Sequence, residues 1–168
     1  SDYDKAAGTV TIVTQQIGAC TSEICSYEEG DAFADVVGPL GIPSDFTEMK
    51  PEELAGKKYV FIAGGVGTAP VYPQVKWLHE RGVAVDVIIG AKTKDLIIYK
   101  EEMAAVCDNL YICTDDGSEG FKGLVTAMLE KLVLEDGKKY DQAVAIGPMI
   151  MMKFATLTCK KLNLPVIV

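Results

Sequence analysis

The segment from Lys58 to Gly82 constrains the fold more than any other part of the chain. It starts with five residues suited to a buried strand, Tyr59 to Ala63, and continues through the glycine-rich turn Gly64 to Gly67. A helix is expected to begin at Ala69 and Pro70, because the N–H that proline lacks would have no partner in the first helical turn. The segment therefore predicts a buried strand, a tight turn and a helix in direct succession.

A glycine turn at the start of a helix is suited to binding an anion. The helix contributes roughly half an elementary charge of positive sign at this end, and its first N–H groups point towards a ligand lying on the glycines. The pyrophosphate of a dinucleotide fits such a site. The pattern departs from the common GxGxxG motif, since Pro70 stands where the third glycine would be. A plain strand-to-helix connection therefore remains an open alternative.

Strands and helices alternate regularly after residue 58. This alternation predicts right-handed crossovers and a parallel sheet, so we expect an α/β fold with a five-stranded parallel, Rossmann-like nucleotide-binding domain. The predicted strands lie at residues 59–63, 83–89, 109–114, 142–146 and 164–168, and the predicted helices at residues 69–81, 94–107, 121–134 and 148–161.

Parallel sheets bind ligands at the carboxyl ends of their strands, close to the point where the strand order reverses. Four turns of this chain lie at predicted strand ends, and each is rich in glycine or in polar residues. Any one of them also suits a purely structural turn, but four on one edge of the sheet favour a nucleotide site. The candidate cofactor-binding residues there are Gly65, Val66, Gly67, Thr68, Ala69, Pro70, Gly90, Ala91, Lys92, Thr93, Asp95, Thr114, Asp115, Asp116, Gly117, Ser118, Gly147, Pro148, Met149 and Met151.

The part of the chain before residue 58 has a different pattern. A segment rich in β-branched residues, Gly8 to Ile17, predicts an antiparallel strand, and a short helix is expected from Ser22 to Tyr27 with Thr21 or Ser22 as its N-cap. A second strand, Ala32 to Val37, is expected to end in a turn at residues 38–41. Residues 42–57 are rich in proline, glycine and acidic residues, which indicates a boundary. We therefore predict one domain over 1–46, a linker over 47–57 and a second domain over 58–168.

Composition restricts the possible partners. The net charge of −8 over 168 residues argues against nucleic acid or an anionic membrane surface as the main partner, because phosphate binding requires clustered Lys and Arg. No apolar run approaches the roughly 18 residues of a spanning helix, and no secretory leader precedes the first strand. These observations predict a cytoplasmic protein.

No catalytic or metal-binding residue is expected within this segment. The five cysteines are odd in number and form no CxxC pair, which argues against a disulfide framework and against a zinc or iron–sulfur site here. The only histidine, His79, is adjacent to Glu80 on a predicted helix and suits a solvated surface. The pair Glu101 and Glu102 suits an exposed helix face rather than an acid–base dyad.

Several motifs resemble those of the ferredoxin–NADP reductase superfamily. GVGTAP at 65–70, GAKTKDLIIYKEEM at 90–103 and GPMIMMK at 147–153 are similar to the GxGxAP, GxxTxxxLxYxEE and GPxxMM motifs of that family. The segment TDDGSEGFKGLVT at 114–126 is more specific, because it resembles one subgroup of the family. It resembles the ferredoxin–NADP oxidoreductase alpha (small) subunit, also called a sulfide dehydrogenase subunit, and the dihydroorotate dehydrogenase electron-transfer subunit.

The resemblance implies that the last strands of an antiparallel flavin-binding β-barrel precede the nucleotide domain. Gly18, Ala19, Cys20 and Thr21 would then receive the FAD pyrophosphate, and GPLG at 38–41 would close the barrel. Two family parts are expected outside this segment, a flavin-gripping motif upstream and a cysteine-rich [2Fe-2S] segment downstream. We therefore expect a fragment that is inactive alone, and its retention of FAD is left open.

The resemblance further implies an electron-transfer flavoprotein subunit. It would pass reducing equivalents between NAD(P)H, FAD and an iron–sulfur centre, with a catalytic or larger redox subunit and ferredoxin as partners. One alternative is an electron-transfer subunit of a cytoplasmic hydrogenase or of a dihydroorotate dehydrogenase. Another alternative is a non-redox module that senses NAD(H). Met149, Met151 and Met152 line the nicotinamide end of the site in one interpretation and fill the core in another.

The choice of nicotinamide follows from charge. In the family the turn after the third strand meets the adenosine ribose, and this chain has Asp115 and Asp116 there. A carboxylate accepts a hydrogen bond from a ribose 2′-OH, but at ~4 Å from a 2′-phosphate it costs about 4 kcal/mol per unit charge at a dielectric near 20. We therefore predict NAD(H), while Lys92 and Lys94 keep NADP(H) open. Alternatively, the two aspartates only cap a turn.

Overall fold

The computed structural model describes residues 1–38 and 40–168. Its elements, in chain order, are β1 (Asp2–Asp4), β2 (Thr9–Thr11), α1 (Ala19–Ile24), α2 (Pro51–Leu54), β3 (Lys58–Gly64), α3 (Thr68–His79), β4 (Ala84–Ala91), α4 (Lys100–Ala104), β5 (Asn109–Thr114), β6 (Phe121–Lys122), α5 (Val125–Glu130), β7 (Gln142–Ile146), α6 (Met149–Lys161) and β8 (Val166–Ile167).

The larger sheet is parallel throughout and has six strands in the order β6-β5-β4-β3-β7-β8. The predicted α/β, Rossmann-like fold is confirmed, but the number of strands is six rather than five. The additional strand is β6, where Phe121 pairs with Cys113 and Lys122 pairs with Thr114. Gly120 permits this return, because it has a φ of +66° and a Cβ there would collide with the carbonyl oxygen of Ile112.

Helices cover both faces of this sheet, and the side chains of β3 alternate between the two cores. Phe61 and Ala63 pack with α2, α3 and α4, whereas Val60 and Ile62 pack with α5 and α6. All residues of β3 except Lys58 are buried. A central strand covered on both faces accounts for the unbroken apolar run in the sequence.

Two strands and two helices agree closely with their predicted ranges. The predicted ranges of β5 and β7 are confirmed, and those of α3 and α6 differ by no more than two residues at either end. Two helix predictions are wrong in extent. The predicted helix 94–107 is a 3₁₀ turn at Lys94–Leu96 followed by α4, since Tyr99 has a left-handed φ of 57°. The predicted helix 121–134 contains β6, then α5, then a π turn at Lys131–Glu135.

The amino-terminal part contains a small antiparallel sheet formed by β1 and β2. The predicted strand Gly8 to Ile17 is reduced to β2, and Ala32 to Val37 forms no strand. A strand needs a hydrogen-bonded neighbouring strand, and the described residues supply none to residues 12–17 or 32–37. The predicted turn at 38–41 includes Pro39, which lies outside the described residues.

Helix α1 begins earlier than predicted. Gly18 is its N-cap, and the hydroxyl of Thr21 accepts hydrogen bonds from the backbone N–H groups of Ile17 and Gly18, at 2.9 Å each. Thr21 therefore accepts hydrogen bonds from N–H groups just before the helix, although Thr21 itself lies in the first helical turn. The prediction of Thr21 or Ser22 as the N-cap is wrong for this reason.

The segment predicted as a boundary contributes to the core of the larger sheet. Phe46 is 2% exposed and Leu54 is 4% exposed. The ring of Phe46 lies 5.6 Å from that of Trp77 and 6.0 Å from that of Tyr59, measured between centroids. Phe46 and Leu54 thus pack onto the parallel-sheet domain, while the division at residues 46 and 47 stays a prediction.

The buried carboxylate of Asp86 connects several segments at the amino-terminal edge of the sheet by hydrogen bonds. Asp86 in β4 is fully buried and accepts hydrogen bonds from Asn109 at 2.7 Å, Lys138 at 2.7 Å and Tyr140 at 2.6 Å. Burial alone would raise the pKa of this carboxyl, but its three hydrogen-bond donors outweigh that effect and hold the pKa below its usual range.

Asp86→Asn should lower the free energy of unfolding by about 3 kcal/mol at neutral pH, because the remaining donors lose their charged partner. A depressed native pKa stabilises the folded state above the unfolded pKa of about 3.9, and this stability is lost as pH falls through the native value. The difference in free energy of unfolding between wild type and variant should therefore become smaller below about pH 4. Urea unfolding at several pH values measures this difference. Glu135→Gln at an exposed position is the control, expected within about 0.5 kcal/mol of wild type.

Candidate nucleotide-binding site

The strand order reverses between β3 and β7. From β3 the chain moves outwards through β4, β5 and β6, and then crosses to β7 on the other side of β3. A reversal of this kind opens a crevice beyond the carboxyl ends of the two central strands. The turns that follow them, Gly65 to Pro70 and Gly147 to Pro148, are therefore neighbours at the expected position of a ligand.

These two turns pack backbone against backbone. A Cβ on Gly67 would lie 2.5 Å from the carbonyl oxygen of Ile146 and 2.8 Å from the Cα of Gly147. A Cβ on Gly147 would lie 2.8 Å from Cε of Met151 and 3.1 Å from the backbone nitrogen of Gly64. Glycine at positions 67 and 147 leaves room for the two turns to approach each other this closely.

Gly65 differs from these packed glycines. Its φ is +54°, and a Cβ built on it would meet no heavy atom within 4 Å. The backbone therefore turns sharply beside open space, which leaves room for a phosphate group to approach.

Thr68, the first residue of α3, carries an unsatisfied polar group three residues after Gly65. It is fully buried, and within residues 1–38 and 40–168 its hydroxyl has no hydrogen-bond partner. A buried hydroxyl without a partner costs about 1–3 kcal/mol. The orphaned hydroxyl, the open space at Gly65 and the positive end of α3 together fit the pyrophosphate of a dinucleotide.

The loops after β4 and β5 are joined at the same edge of the sheet. The N–H of Asp115 donates to the carbonyl of Ala91 at 3.1 Å, and the N–H of Asp116 donates to that of Lys92 at 3.3 Å. The structure thus brings together two further groups of candidates, residues 90–95 and 114–118. Gly90 is also needed for packing, since a Cβ there would lie 2.5 Å from Cγ1 of Val125.

Two side chains of the second loop are used within the loop itself. The Thr114 hydroxyl donates to the carbonyl of Glu119 at 2.7 Å and accepts from its N–H at 3.1 Å. Oδ1 of Asp116 accepts from the hydroxyl of Ser118 at 2.7 Å and from its N–H at 2.9 Å. These bonds from Ser118 hold the pKa of the Asp116 carboxyl below its usual range.

Asp115 is different from its neighbour. Its side chain is exposed, and in the described part of the chain no hydrogen bond or ion pair involves its carboxylate. The interpretation that the aspartates only cap a turn therefore describes Asp116, whereas the carboxylate of Asp115 is available to a ligand.

The methionines after β7 lie in two different environments. Met151 is half-buried and packs against Gly64 and Gly147, so it fills space between the two central turns. Met149 is 82% exposed. Of the two interpretations, core filling fits Met151, and Met149 lies at the surface where α6 begins.

Among the described residues, no hydrogen bond joins the amino-terminal candidates, residues 18–21, to this edge of the parallel sheet. Gly18, Ala19 and Cys20 are exposed, and the hydroxyl of Thr21 bonds only within its own turn. Their predicted role towards FAD stays a prediction.

An ion pair that the sequence did not suggest also orders the second loop. Lys100, at the start of α4, pairs with Glu119. The two residues are far apart in sequence and belong to no common motif, so only the folded chain brings them together.

The described residues lack two features that would indicate other kinds of site. No group of three or more His, Cys, Asp or Glu side chains among them is arranged to hold a metal ion. None of the described helices combines the length and the apolar character needed to cross a bilayer.

Comparison with known proteins agrees with this geometry. The family described as the oxidoreductase NAD-binding domain matches residues 61–156, from β3 into α6. The matched region includes both central turns and both loops of the candidate site.

Two curated relatives match almost the whole chain. A Clostridium beijerinckii protein described as an uncharacterized protein in the adh 3′ region is 56% identical over 165 residues, covering 98% of this chain and 56% of that protein. A Thermotoga maritima protein described as a homolog of the dihydroorotate dehydrogenase B (NAD(+)) electron transfer subunit is 40% identical over 166 residues, covering 99% of this chain and 55% of that protein. The chain thus spans about half the length of the curated relatives it matches.

Solved structures also match. NADH-dependent reduced ferredoxin–NADP oxidoreductase, determined in a study of flavin-based electron bifurcation, superposes with a TM-score of 0.74 at 39% identity, over 94% of this chain and 52% of that one. The C-terminal domain of a Pyrococcus furiosus hydrogenase superposes with a TM-score of 0.58 at 22% identity, over 77% of this chain and 98% of that one. The similarity to the hydrogenase domain shows only that the two folds are alike.

The glycine turns at the strand reversal, the matched family and these relatives agree with one another. The chain therefore belongs to the oxidoreductase NAD-binding domain family, within the ferredoxin–NADP reductase superfamily.

Proposed function

We propose that this chain is the nucleotide-binding part of an electron-transfer flavoprotein subunit that passes reducing equivalents between NAD(H), FAD and an iron–sulfur centre. The observation that carries the proposal is the junction of the turns after β3 and β7 at the strand reversal. At this junction the backbone of Gly65 borders open space, and the start of α3 carries the buried, unpartnered hydroxyl of Thr68.

The residues of this chain would bind and orient the nucleotide. The pyrophosphate would lie on Gly65 to Pro70 at the positive end of α3. The adenosine ribose would reach the loops after β4 and β5, where Asp115 accepts a hydrogen bond from its 2′-OH. When bound, the nicotinamide and the flavin supply the hydride and electron-transfer chemistry, while the protein positions them.

The proposal for the whole protein rests on its relatives. They include an electron transfer subunit of a dihydroorotate dehydrogenase and a reduced ferredoxin–NADP oxidoreductase. FAD held with the help of Gly18 to Thr21, a [2Fe-2S] centre elsewhere in the full-length protein, a catalytic or larger redox subunit, ferredoxin and a cytoplasmic location all belong to this proposal.

Gly67→Ala should separate the two central turns, because the new Cβ would lie 2.5 Å from the carbonyl oxygen of Ile146. We expect overpacking to cost about 1–3 kcal/mol of stability and NADH to bind about tenfold more weakly. Thermal unfolding and calorimetric titration of the chain measure the two effects. Gly38→Ala is the matched control, since a Cβ at Gly38 meets nothing within 4 Å. Unchanged NADH binding by Gly67→Ala would contradict the proposed pyrophosphate position.

NADH should bind this chain more tightly than NADPH. The carboxylates at Asp115 and Asp116 repel a 2′-phosphate, and solvent screening reduces this exposed repulsion to about tenfold in affinity. Calorimetric titrations with both nucleotides, at low and at high salt, test the preference, which should diminish as salt rises. Tighter binding of NADPH would reverse the assignment.

The full-length protein should contain flavin and reduce an artificial dye with NADH. Absorbance of the purified protein in the visible range and a diaphorase assay measure these properties. A colourless full-length protein that binds NADH without diaphorase activity would contradict the redox role and favour a module that senses NAD(H).

A further inference from the structure

The outward-facing side of α6 carries large apolar side chains. Ile150, Phe154 and Leu157 are each more than half exposed, and their spacing of four and then three residues places them along one side of the helix. The side that faces the sheet carries the small, fully buried residues Ala155 and Cys159. A surface helix usually turns its large apolar residues towards the core, so α6 has the reverse of the ordinary arrangement.

Basic side chains border this apolar stripe. Lys153 and Lys160 are exposed and are separated by about two helical turns, so they flank the stripe on the same side. Among the described residues neither of them forms an ion pair, whereas Lys161 pairs with Glu130 at 2.9 Å. The stripe and its two flanking lysines form the α6 patch, which consists of Ile150, Lys153, Phe154, Leu157 and Lys160.

Charge indicates the kind of partner that fits the α6 patch. Helix α6 contains three lysines and no acidic residue, although the whole chain has a net charge of −8. Charges around the rim of an interface select the partner, while the apolar centre is the part that becomes buried. The patch is therefore complementary to a protein surface with an apolar centre and an acidic rim.

Two other occupants fit the α6 patch less well. A symmetric contact between two copies of α6 would place lysines against lysines, with no carboxylate on either helix to pair with them. An anionic membrane would repel the rest of a chain whose net charge is −8. An acidic protein can match the patch locally without either conflict.

We propose that the α6 patch is the docking surface for the larger redox subunit of the electron-transfer complex, and that this subunit presents an acidic surface with an apolar centre. The inference rests on the proposed function, because it assigns a surface to the partner named there. Pro148 is the N-cap of α6, so a subunit docked on the patch lies beside the turn after β7.

Covalent cross-linking tests the location and the chemistry of the contact together. The full-length protein is purified with its larger subunit, and a carbodiimide joins lysines to carboxylates that lie in ion-pair contact. Lys153 or Lys160 should couple to an Asp or Glu of the larger subunit, as identified by mass spectrometry of the linked peptides. The inference is overturned if neither lysine couples, or if both couple only within the same polypeptide or to a second copy of it.

Substitutions at these exposed positions test what the patch contributes to affinity. Lys153→Glu combined with Lys160→Glu should weaken binding of the larger subunit at least about tenfold at low salt, and less at high salt because salt screens the charges. Leu157→Ser should weaken binding about tenfold at either salt concentration, because it removes an apolar contact. Fluorescence anisotropy of the labelled larger subunit, titrated with each full-length variant, measures these affinities.

Lys50→Glu is the matched control for a change in charge. Lys50 is exposed and precedes α2, which packs on the opposite face of the sheet. This substitution should change the affinity for the larger subunit less than about twofold. NADH affinity and melting temperature should match those of wild type in every variant, because none of the substituted residues belongs to the candidate nucleotide site.

The outcomes separate the inference from the function on which it rests. If the larger subunit binds the α6 variants as tightly as wild type, the inference is overturned. It is also overturned if the full-length protein binds vesicles of phosphatidylserine and phosphatidylcholine and the double lysine substitution abolishes that binding. If wild-type protein does not bind NADH, the proposed function fails, while cross-links from the α6 patch still show whether the patch is a docking surface.

Discussion

The direct contact between the turns after β3 and β7 is the constraint on which the candidate site depends. A side chain at Gly67 would collide with the backbone of the facing turn, and a Cβ at Gly64 or Gly147 would press on the side chain of Met151 and lie 3.1 Å from the facing turn. With glycine at these positions, the two central strands end side by side where the strand order reverses. The space beside Gly65 and the buried hydroxyl of Thr68 then lie at the start of α3, where a phosphate gains both room and a favourable field.

The proposed adenosine end is built by a different kind of interaction. Hydrogen bonds between exposed loops are individually weak, and here several act together: backbone bonds from Asp115 and Asp116, the bond from the Lys94 N–H to the Ser118 hydroxyl, and the ion pair between Lys100 and Glu119. Glycine packing at the proposed pyrophosphate position and polar contacts at the proposed ribose position would suit a site that holds one invariant group and distinguishes between two similar nucleotides.

The parallel-sheet domain was predicted from the sequence more accurately than the amino-terminal part. The ranges of β5 and β7 were predictable because each contains a short apolar run, residues 110–113 and 143–146, bounded by polar residues or glycine. Residues 12–17 and 32–37 carry strand-like patterns, yet in the described structure they have no neighbouring strand to pair with. The composition of residues 42–57 predicted a domain boundary, but Phe46 and Leu54 reach the core of the parallel-sheet domain, because single apolar side chains can be buried within a segment that is polar on average.

The sequence by itself determined the alternation of strands and helices, the parallel sheet and the positions of the glycine turns, because these follow from local periodicity and from backbone conformations that glycine favours. Only the tertiary structure decided what each turn residue does. It showed that Gly67 and Gly147 meet each other, that Thr114 and Asp116 bond within their own loop, and that the carboxylate of Asp115 has no partner among the described residues. Identical residue types in one motif acquire different roles because hydrogen-bond partners and close contacts come from segments distant in the chain.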